Sequence, residues 1–350
     1  MKQVLYKLTA MGLLAASLLA GWLWWDYSAF LDNPLRLPEA GLELRVEPGQ
    51  TLTGVARRLG REGVLEHPGY LLWHARWRGR TTIQAGEYRL APGTTPVRLL
   101  EQLTRGEVIQ YSLTVVEGWT FRQLMDAVNA HEALDHTLGE ADAATVMARL
   151  GRPGEHPEGR FLPDTYHFPR GTTDVEFLRR AYRAMERVLA EEWEQRAVGL
   201  PLRTPYEALI LASIVEKETG LASERAAIAG VFIRRLQRGM RLQSDPTVIY
   251  GLGARFDGNL RRADLRRDTP YNTYRRRGLP PTPIALPGRA AIHATLHPEE
   301  GDAVYFVSRG DGSHHFSATL EEHNEAVIRY QLKGRRRAFS SYPPRKDAAP

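Results

Sequence analysis

Residues 8–25, LTAMGLLAASLLAGWLWW, form an unbroken apolar run without a charge. At about 1.5 Å of rise per residue, a helix of this length just crosses the hydrocarbon core of a bilayer. After it the pattern breaks into shorter periods. ELRVEPG (43–49) reads as a strand and turn, and TLTGVARRLGREGV (51–64) as a helix capped by Thr51 with Leu52, Val55 and Leu59 on one face. A second helix carries Tyr70, Leu71 and Trp73. The alternating strand QAGEYRL follows, and then the helix PVRLLEQLTRG, opened by Thr95-Pro96 and closed by Gly106. Residues 109–118 alternate as a strand, and Thr120 caps a helix through Leu124 and Val128. Residues 173–198 form a long amphipathic helix whose buried side holds Phe177, Tyr182, Met185, Val188, Leu189 and Trp193.

The most apolar helix lies further on. Thr204 caps it, Pro205 takes the first helical position, and Glu207 completes a capping box. It runs through Ile210, Leu211, Ile214 and Val215, apolar almost all round, and ends near Thr219-Gly220. Ser223 caps the next helix, 224–238, which buries Ile228, Val231, Phe232 and Leu236 before Gly239 closes it. RLQSDPTVIYGLG then reads as a loop and short helix, with Asp245 as cap and Pro246 in the first turn. Residues 269–288, TPYNTYRRRGLPPTPIALPG, read as a stiff aromatic loop with five prolines, suited to a polar ring-containing ligand such as a sugar. A strand at 303–308, a hairpin through GDGSHHFS and a helix 319–332 packing Leu320, Val327 and Leu332 close the folded part.

Glu216 and Glu218 stand where the apolar helix ends. Two residues turn a helix by about 200°, so they point to opposite sides and cannot form one acid–base pair across a substrate. A carboxyl continuing a buried helix is desolvated, which raises its pKa and suits it to general-acid work near neutral pH. Glu216, directly after the apolar run, is the first candidate and Glu218 the alternative. Asp164, within EGRFLPDTYHFP, is read either as a turn cap or as a site residue. His314 and His315 are adjacent, so a strand points them to opposite faces; one of them, with Phe316, is a candidate cleft residue.

Composition narrows the class. With 350 residues the chain is long enough for two folded domains. It is 43% hydrophobic and 25% charged, ordinary for a globular protein, and has no cysteine, which excludes disulfides, thiolate metal sites and a cysteine nucleophile. The net charge of +6 allows contact with anionic lipid, nucleic acid or acidic polymer without choosing among them. No P-loop, GxGxxG or metal-ligand spacing is present, so no cofactor and no metal is expected. Without an aromatic nucleic-acid motif, no nucleic-acid partner is expected either. Lys2 and Lys7 precede the apolar run, Trp22, Trp24 and Trp25 crowd its far end, and Asp26 and Asp32 follow. A single-pass anchor with a cytoplasmic N-terminus is expected, rather than a cleaved signal peptide.

Two resemblances go with these patterns. The strand–helix–helix–strand order at 42–108 resembles a LysM-like glycan-binding module in order and size. Trp73 and Trp77, four apart on its second helix, read as core packing, with stacking on sugar rings as the other reading. LASIVEKET, SERAAIAGVFIRRLQRGMRLQSDPTVIYGLG and TPYNTYRRRGLPPTPIALPG closely resemble the YceG-like family, with EGRFLPDTYHF and the N-terminal anchor in the same order. That resemblance covers most of residues 1–332 and is strongest over 205–330. It implies a lytic transglycosylase cutting the MurNAc–GlcNAc bond inside nascent peptidoglycan strands, giving 1,6-anhydro ends and limiting glycan elongation. It carries the catalytic role to Glu216, with Glu218 as the alternative, and gives cleft positions to Gln243, Asp245, Thr247, Tyr271, Asn272 and Thr273. Partners implied are peptidoglycan glycan strands, the inner membrane through residues 8–25, and peptidoglycan synthases. A hydrolytic muramidase and a non-enzymatic wall-binding scaffold stay open as alternatives. The expected architecture is α+β: cytoplasmic end and transmembrane helix 1–25, linker 26–41, LysM-like domain 42–108, periplasmic catalytic domain 109–334, and a basic, disordered tail 335–350.

Overall fold

The computed structural model describes residues 2–332; the tail expected at 335–350 lies outside them. The described residues divide into two compact units, one up to residue 111 with 167–172, the other 112–166 with 173–332. Helix and strand are mixed throughout.

In the first unit, α1 runs without a break over Lys2–Asp32. Its apolar segment is the one helix among the described residues long and apolar enough to cross a membrane. From Leu8 to Trp25 its large side chains are exposed, whereas Tyr27 and Phe30 are buried. The expected linker therefore begins as helix. Phe30 and Leu35 join the core of the unit because an apolar face next to a packed domain is removed from water rather than left extended. Strand β1 (Leu42–Val46), α2 (Leu52–Arg61), α3 (Pro68–Trp77), β2 (Gly86–Leu90) and α4 (Pro96–Arg105) follow. β1 and β2 pair antiparallel, with Leu44 opposite Tyr88. The predicted caps form: Thr51 accepts the Gly54 N–H, and Gly106 ends α4 at φ 68°. The core-packing reading of Trp73 and Trp77 is overturned. They are 49% and 63% exposed and stack on each other at 6.0 Å, because the inward face of α3 is taken by Leu71, His74 and Ala75.

From Tyr111 on, the chain forms β3 (Tyr111–Thr114), α5 (Phe121–Asn129), β4 (Leu134–Asp135), α6 (Ala143–Arg149), β5 (Thr165–Phe168), β6 (Thr172–Thr173), α7 (Asp174–Glu194) and α8 (Pro205–Glu218), all in the second unit except Tyr111 and residues 167–172. These are followed by α9 (Arg225–Gln237), α10 (Asp245–Leu252), α11 (Arg262–Arg266), α12 (Arg289–Leu296), β7 (Tyr305–Ser308), β8 (His314–Ser317) and α13 (Leu320–Tyr330). β3 keeps only four of the ten alternating residues, α7 stops at Glu194 short of the expected 198, and α5 starts at the expected Thr120 cap. α8 is the axis of this unit. It packs against α7, α9, α10 and α12, so every residue from Ala208 to Val215 is buried. Its start is as expected, with Thr204 Oγ1 accepting the Glu207 N–H at 3.2 Å. Glu207 reaches back past Thr204 to the Arg203 N–H at 2.6 Å, so the capping box is displaced by one residue. Ser223 does not cap α9; a turn of 3-10 helix over Ala222–Glu224 leads into it instead. Leu320 is exposed at the first position of α13 rather than packed.

One polar group inside α8 ties it to the proline loop. Ser213 is fully buried; its hydroxyl donates to the Ile210 carbonyl at 2.7 Å and accepts the Ile284 N–H at 3.0 Å. Ser213→Ala leaves that N–H buried without a partner, a cost of about 1–3 kcal/mol. The expected outcome is a lower denaturation midpoint with an unchanged denaturant slope. A loss below about 0.5 kcal/mol would mean that the hydrogen bond does not hold the loop.

Candidate active site

α8 ends by exposing its polar residues in opposite directions, as the helical rotation requires. Glu216 turns to the segments 117–119 and 286–288. Its Oε2 accepts the Gly288 N–H at 3.0 Å, and its Oε1 lies 3.7 Å from Arg225, which also approaches Glu117 at 3.5 Å. The same two segments bond to each other, Gly118 N–H to the Leu286 carbonyl and Leu286 N–H to the Trp119 carbonyl, and Lys217 donates to the Gly118 carbonyl. The Glu117 carboxylate lies against Gly288, in the space a Cβ there would take. Burial raises the Glu216 carboxyl; the Gly288 N–H opposes this, Glu117 adds to it, and Arg225 and Lys217 oppose it.

Glu218, the last residue of α8, turns to the loop before α10. Ser244 donates its hydroxyl to Glu218 Oε1 at 2.5 Å. Burial pushes this carboxyl up to about 7, with the Ser244 hydroxyl lowering it, Asp245 raising it and Arg235 lowering it. Its place at the C-terminal end of a helix disfavours the anion further. Ser244 rather than Asp245 is the N-cap of α10, and its side chain makes no capping bond. The hydroxyl that would have satisfied the helix is given to Glu218.

The loop 243–247 is locked from below by a hydroxyl cluster. Thr273 Oγ1 accepts the Ser244 N–H at 3.0 Å and lies 2.8 Å from Thr247 Oγ1; Thr247 donates to the Ser244 carbonyl at 2.6 Å. Thr247, Asn272 and Thr273 are buried. Asn272 ties its own loop, donating to the Arg267 and Leu265 carbonyls and accepting the Tyr274 N–H. Gln243 is exposed, at a φ of 52° held by its N–H to the Thr273 carbonyl at 3.2 Å. Asp245 is exposed and accepts the Tyr274 hydroxyl at 2.6 Å. Tyr271 is half-buried, bonded to Thr282 at 2.9 Å and edge-on to Tyr250 at 4.9 Å. Among the predicted positions, the structure thus brings Glu218, Gln243, Asp245, Thr247 and Thr273 together, and puts Glu216 in a separate network.

Several contributors were absent from the sequence reading. Ser244 and Tyr274 touch the predicted residues directly. Arg235 is buried, donating to the Val304 and Leu242 carbonyls at 2.6 Å each, and so fixes the entry to the 243–247 loop. Glu158, buried and pushed up to about 7 by burial, accepts the Phe121 N–H and the Tyr250 hydroxyl. Its only sequence signal was a position at the head of EGRFLPDTYHF. Asp164 is exposed just before β5 and accepts the N–H of its neighbour Thr165 at 2.7 Å. His314 bonds Glu224 at 2.7 Å. Where no ligand cluster was expected, the fold brings ligand atoms of Glu192, His293 and His297 within 4.8 Å of one another. These atoms already have protein partners: Arg289 and His293 on Glu192 at 2.7 Å each, and the Gln195 carbonyl on His297 at 2.8 Å.

α8 thus ends in two carboxyls raised by burial and turned apart, Glu216 against the 286–288 segment and Glu218 against the hydroxyl-pinned loop 243–247. The chain belongs to the YceG-like family, whose profile matches residues 44–329. The endolytic murein transglycosylase of Bacillus subtilis (strain 168) is 29% identical to it over 306 residues, 83% of this chain and 84% of that protein. The endolytic murein transglycosylase of Streptococcus pneumoniae serotype 2 (strain D39) is 26% identical over 319 residues, 81% of this chain but 57% of that longer protein. The crystal structure of a YceG-like protein from Listeria monocytogenes matches with a TM-score of 0.51 at 28% identity, over 83% of this chain and 100% of that one.

A carboxyl whose folded pKa is raised destabilises the native state once it must ionise. For Glu218 the penalty is absent below the unfolded value near 4.5, grows between there and about 7, and is complete above it. Glu218→Gln should therefore raise stability at pH 8 by up to about 3 kcal/mol and leave it nearly unchanged at pH 4. Thermal melts of both proteins at the two pH values check this.

Proposed function

We propose that this chain is a membrane-anchored lytic transglycosylase that cuts glycan strands of peptidoglycan internally, with Glu218 as its general acid. Membership of the YceG-like family and two relatives named endolytic murein transglycosylase support the activity. The observation that carries the choice of residue is the Glu218 carboxyl, half-buried, held by the Ser244 hydroxyl and raised toward neutral pH by desolvation. Glu216 is occupied by the Gly288 N–H and faced by Arg225, which suits a residue that closes the loops around the site.

In this reading, protonated Glu218 gives its proton to the glycosidic oxygen as the bond from C1 of the MurNAc residue to that oxygen breaks. The C6 hydroxyl of the same MurNAc attacks C1, and the Glu218 carboxylate takes its proton. The product is a 1,6-anhydro ring, and the acid is restored without water. Two-carboxylate glycosidases need a second group to activate water or to attack; internal attack needs one group that works in turn as acid and base. Gln243, Asp245, Tyr271 and Tyr274 edge the site as candidates for sugar contact. The buried Thr247, Asn272 and Thr273 hold the loops that carry them.

Uninterrupted α1, exposed from Leu8 to Trp25, supports a single-pass anchor in the inner membrane, and Lys2 and Lys7 before it support a cytoplasmic N-terminus and an external catalytic unit. The strand–helix–helix–strand order supports a LysM-like reading of the first unit. Synthases that build the same strands are the protein partners this activity implies.

Glu218→Gln should lower release of 1,6-anhydro ends from purified glycan strands by roughly a hundred- to ten-thousand-fold. Glu216→Gln should keep more than about a tenth of wild-type activity. Mass spectrometry of the products reads both, since a hydrolytic product is heavier by one water. The reverse ranking of the two variants would return the acid role to Glu216. As an acid that must start protonated, Glu218 also predicts kcat/KM falling about tenfold per pH unit above about 7.

A further inference from the structure

An unbroken file of aromatic rings joins α1 to the surface of the first unit. Trp24 lies 6.0 Å from Tyr27, Tyr27 meets Trp73 edge-on at 4.9 Å, and Trp73 stacks on Trp77 at 6.0 Å with the rings within 9° of parallel. Tyr27 is buried, and its hydroxyl lies 2.6 Å from His74 Nδ1. Tyr70, one turn before His74, donates to Asp26 at 2.8 Å. So α3 is fastened to α1 at residues 26–27, immediately after the tryptophans at 22, 24 and 25. Two residues of helix advance only about 3 Å.

The outward side of α3 is unusual for a soluble surface. Trp73 is about half exposed, and Trp77, Trp24 and Trp25 more than half. The segment 74–80 adds exposed Arg76, Arg78 and Arg80 and itself contains no acidic residue; Arg80 lies 3.9 Å from Glu101, and Arg78 lies over the Trp77 ring at 5.2 Å. Large exposed aromatic patches rimmed by positive charge mark a surface with a partner. Tryptophan with arginine is what the headgroup region of a bilayer takes, the indole at the apolar boundary and the guanidinium on lipid phosphate.

We infer that α3 is a membrane-docking surface: Trp73 and Trp77, with Arg76, Arg78 and Arg80, lie in the anionic headgroup layer of the same bilayer that holds α1. The inference rests on the reading of α1 as an anchor. If the Trp22–Trp25 cluster sits at the bilayer boundary, the bonds from Asp26 and Tyr27 to α3 leave Trp73 and Trp77 at that depth. The first unit is then seated on the membrane, not swinging on a tether. Stacking of the same two rings on glycan is the competing occupant.

The absence of cysteine allows a single reporter on the full-length protein. Trp77→Cys and Trp25→Cys, each labelled with an environment-sensitive fluorophore, are reconstituted in phosphatidylglycerol–phosphatidylcholine vesicles with and without headgroup-region nitroxide lipids. The expected result is strong quenching at positions 25 and 77, read against the same labelled variants in vesicles without nitroxide lipid. Replacing Arg76, Arg78 and Arg80 by Gln should reduce quenching at 77 at least twofold and leave 25 unchanged. Quenching at 25 but not at 77 overturns the docking surface and leaves the anchor intact. Quenching at neither overturns both. A signal at 77 that responds to soluble glycan strands but not to nitroxide lipid overturns the inference in favour of sugar stacking.

Discussion

Helix α8 is covered on every side from Ala208 to Val215, and this burial dictates what its last turn does. Apolar residues can be packed between four helices at a gain, whereas carboxylates at the end of such a helix must find donors or give up their charge. Glu216 finds a backbone N–H and a nearby arginine. Glu218 finds one hydroxyl, on a loop whose own backbone groups are held elsewhere. The consequence is a carboxyl near neutral pKa at the C-terminal end of a helix, where its anion is least favoured.

The surrounding loops serve this arrangement. Thr247 and Thr273 bond to each other and to both backbone groups of Ser244, so the residue that holds Glu218 is fixed from below. Buried Arg235 joins the same loop to the strand region through the Leu242 and Val304 carbonyls. Ser213 fastens the proline-rich loop to the middle of α8. These bonds are internal and satisfied, which is how a site on loops keeps its geometry without regular secondary structure.

At the other end of the chain, a similar economy links the apolar helix to the first unit. Tyr27 and Phe30 continue α1 into the folded core, so the helix leaves the domain at a surface and not through a free linker. A domain attached this way has a defined face toward whatever holds the helix.

The family signature, the helices with their Thr, Pro and Gly boundaries, the apolar N-terminal segment and the opposition of Glu216 and Glu218 were legible in the sequence by itself. Each depends on local spacing: 3.6 residues per turn, a capping hydroxyl, an uncharged run. What lies in the two directions was not legible. That Gly288 and Arg225 wait for Glu216, and Ser244 for Glu218, depends on residues up to 72 positions away brought in by packing. The same holds for Thr247, Asn272 and Thr273, which read as cleft residues but are internal pins, and for Trp73 and Trp77, which read as core but lie outside. Periodicity fixes the face of a helix on which a side chain sits; only the tertiary structure decides whether that face meets protein or solvent.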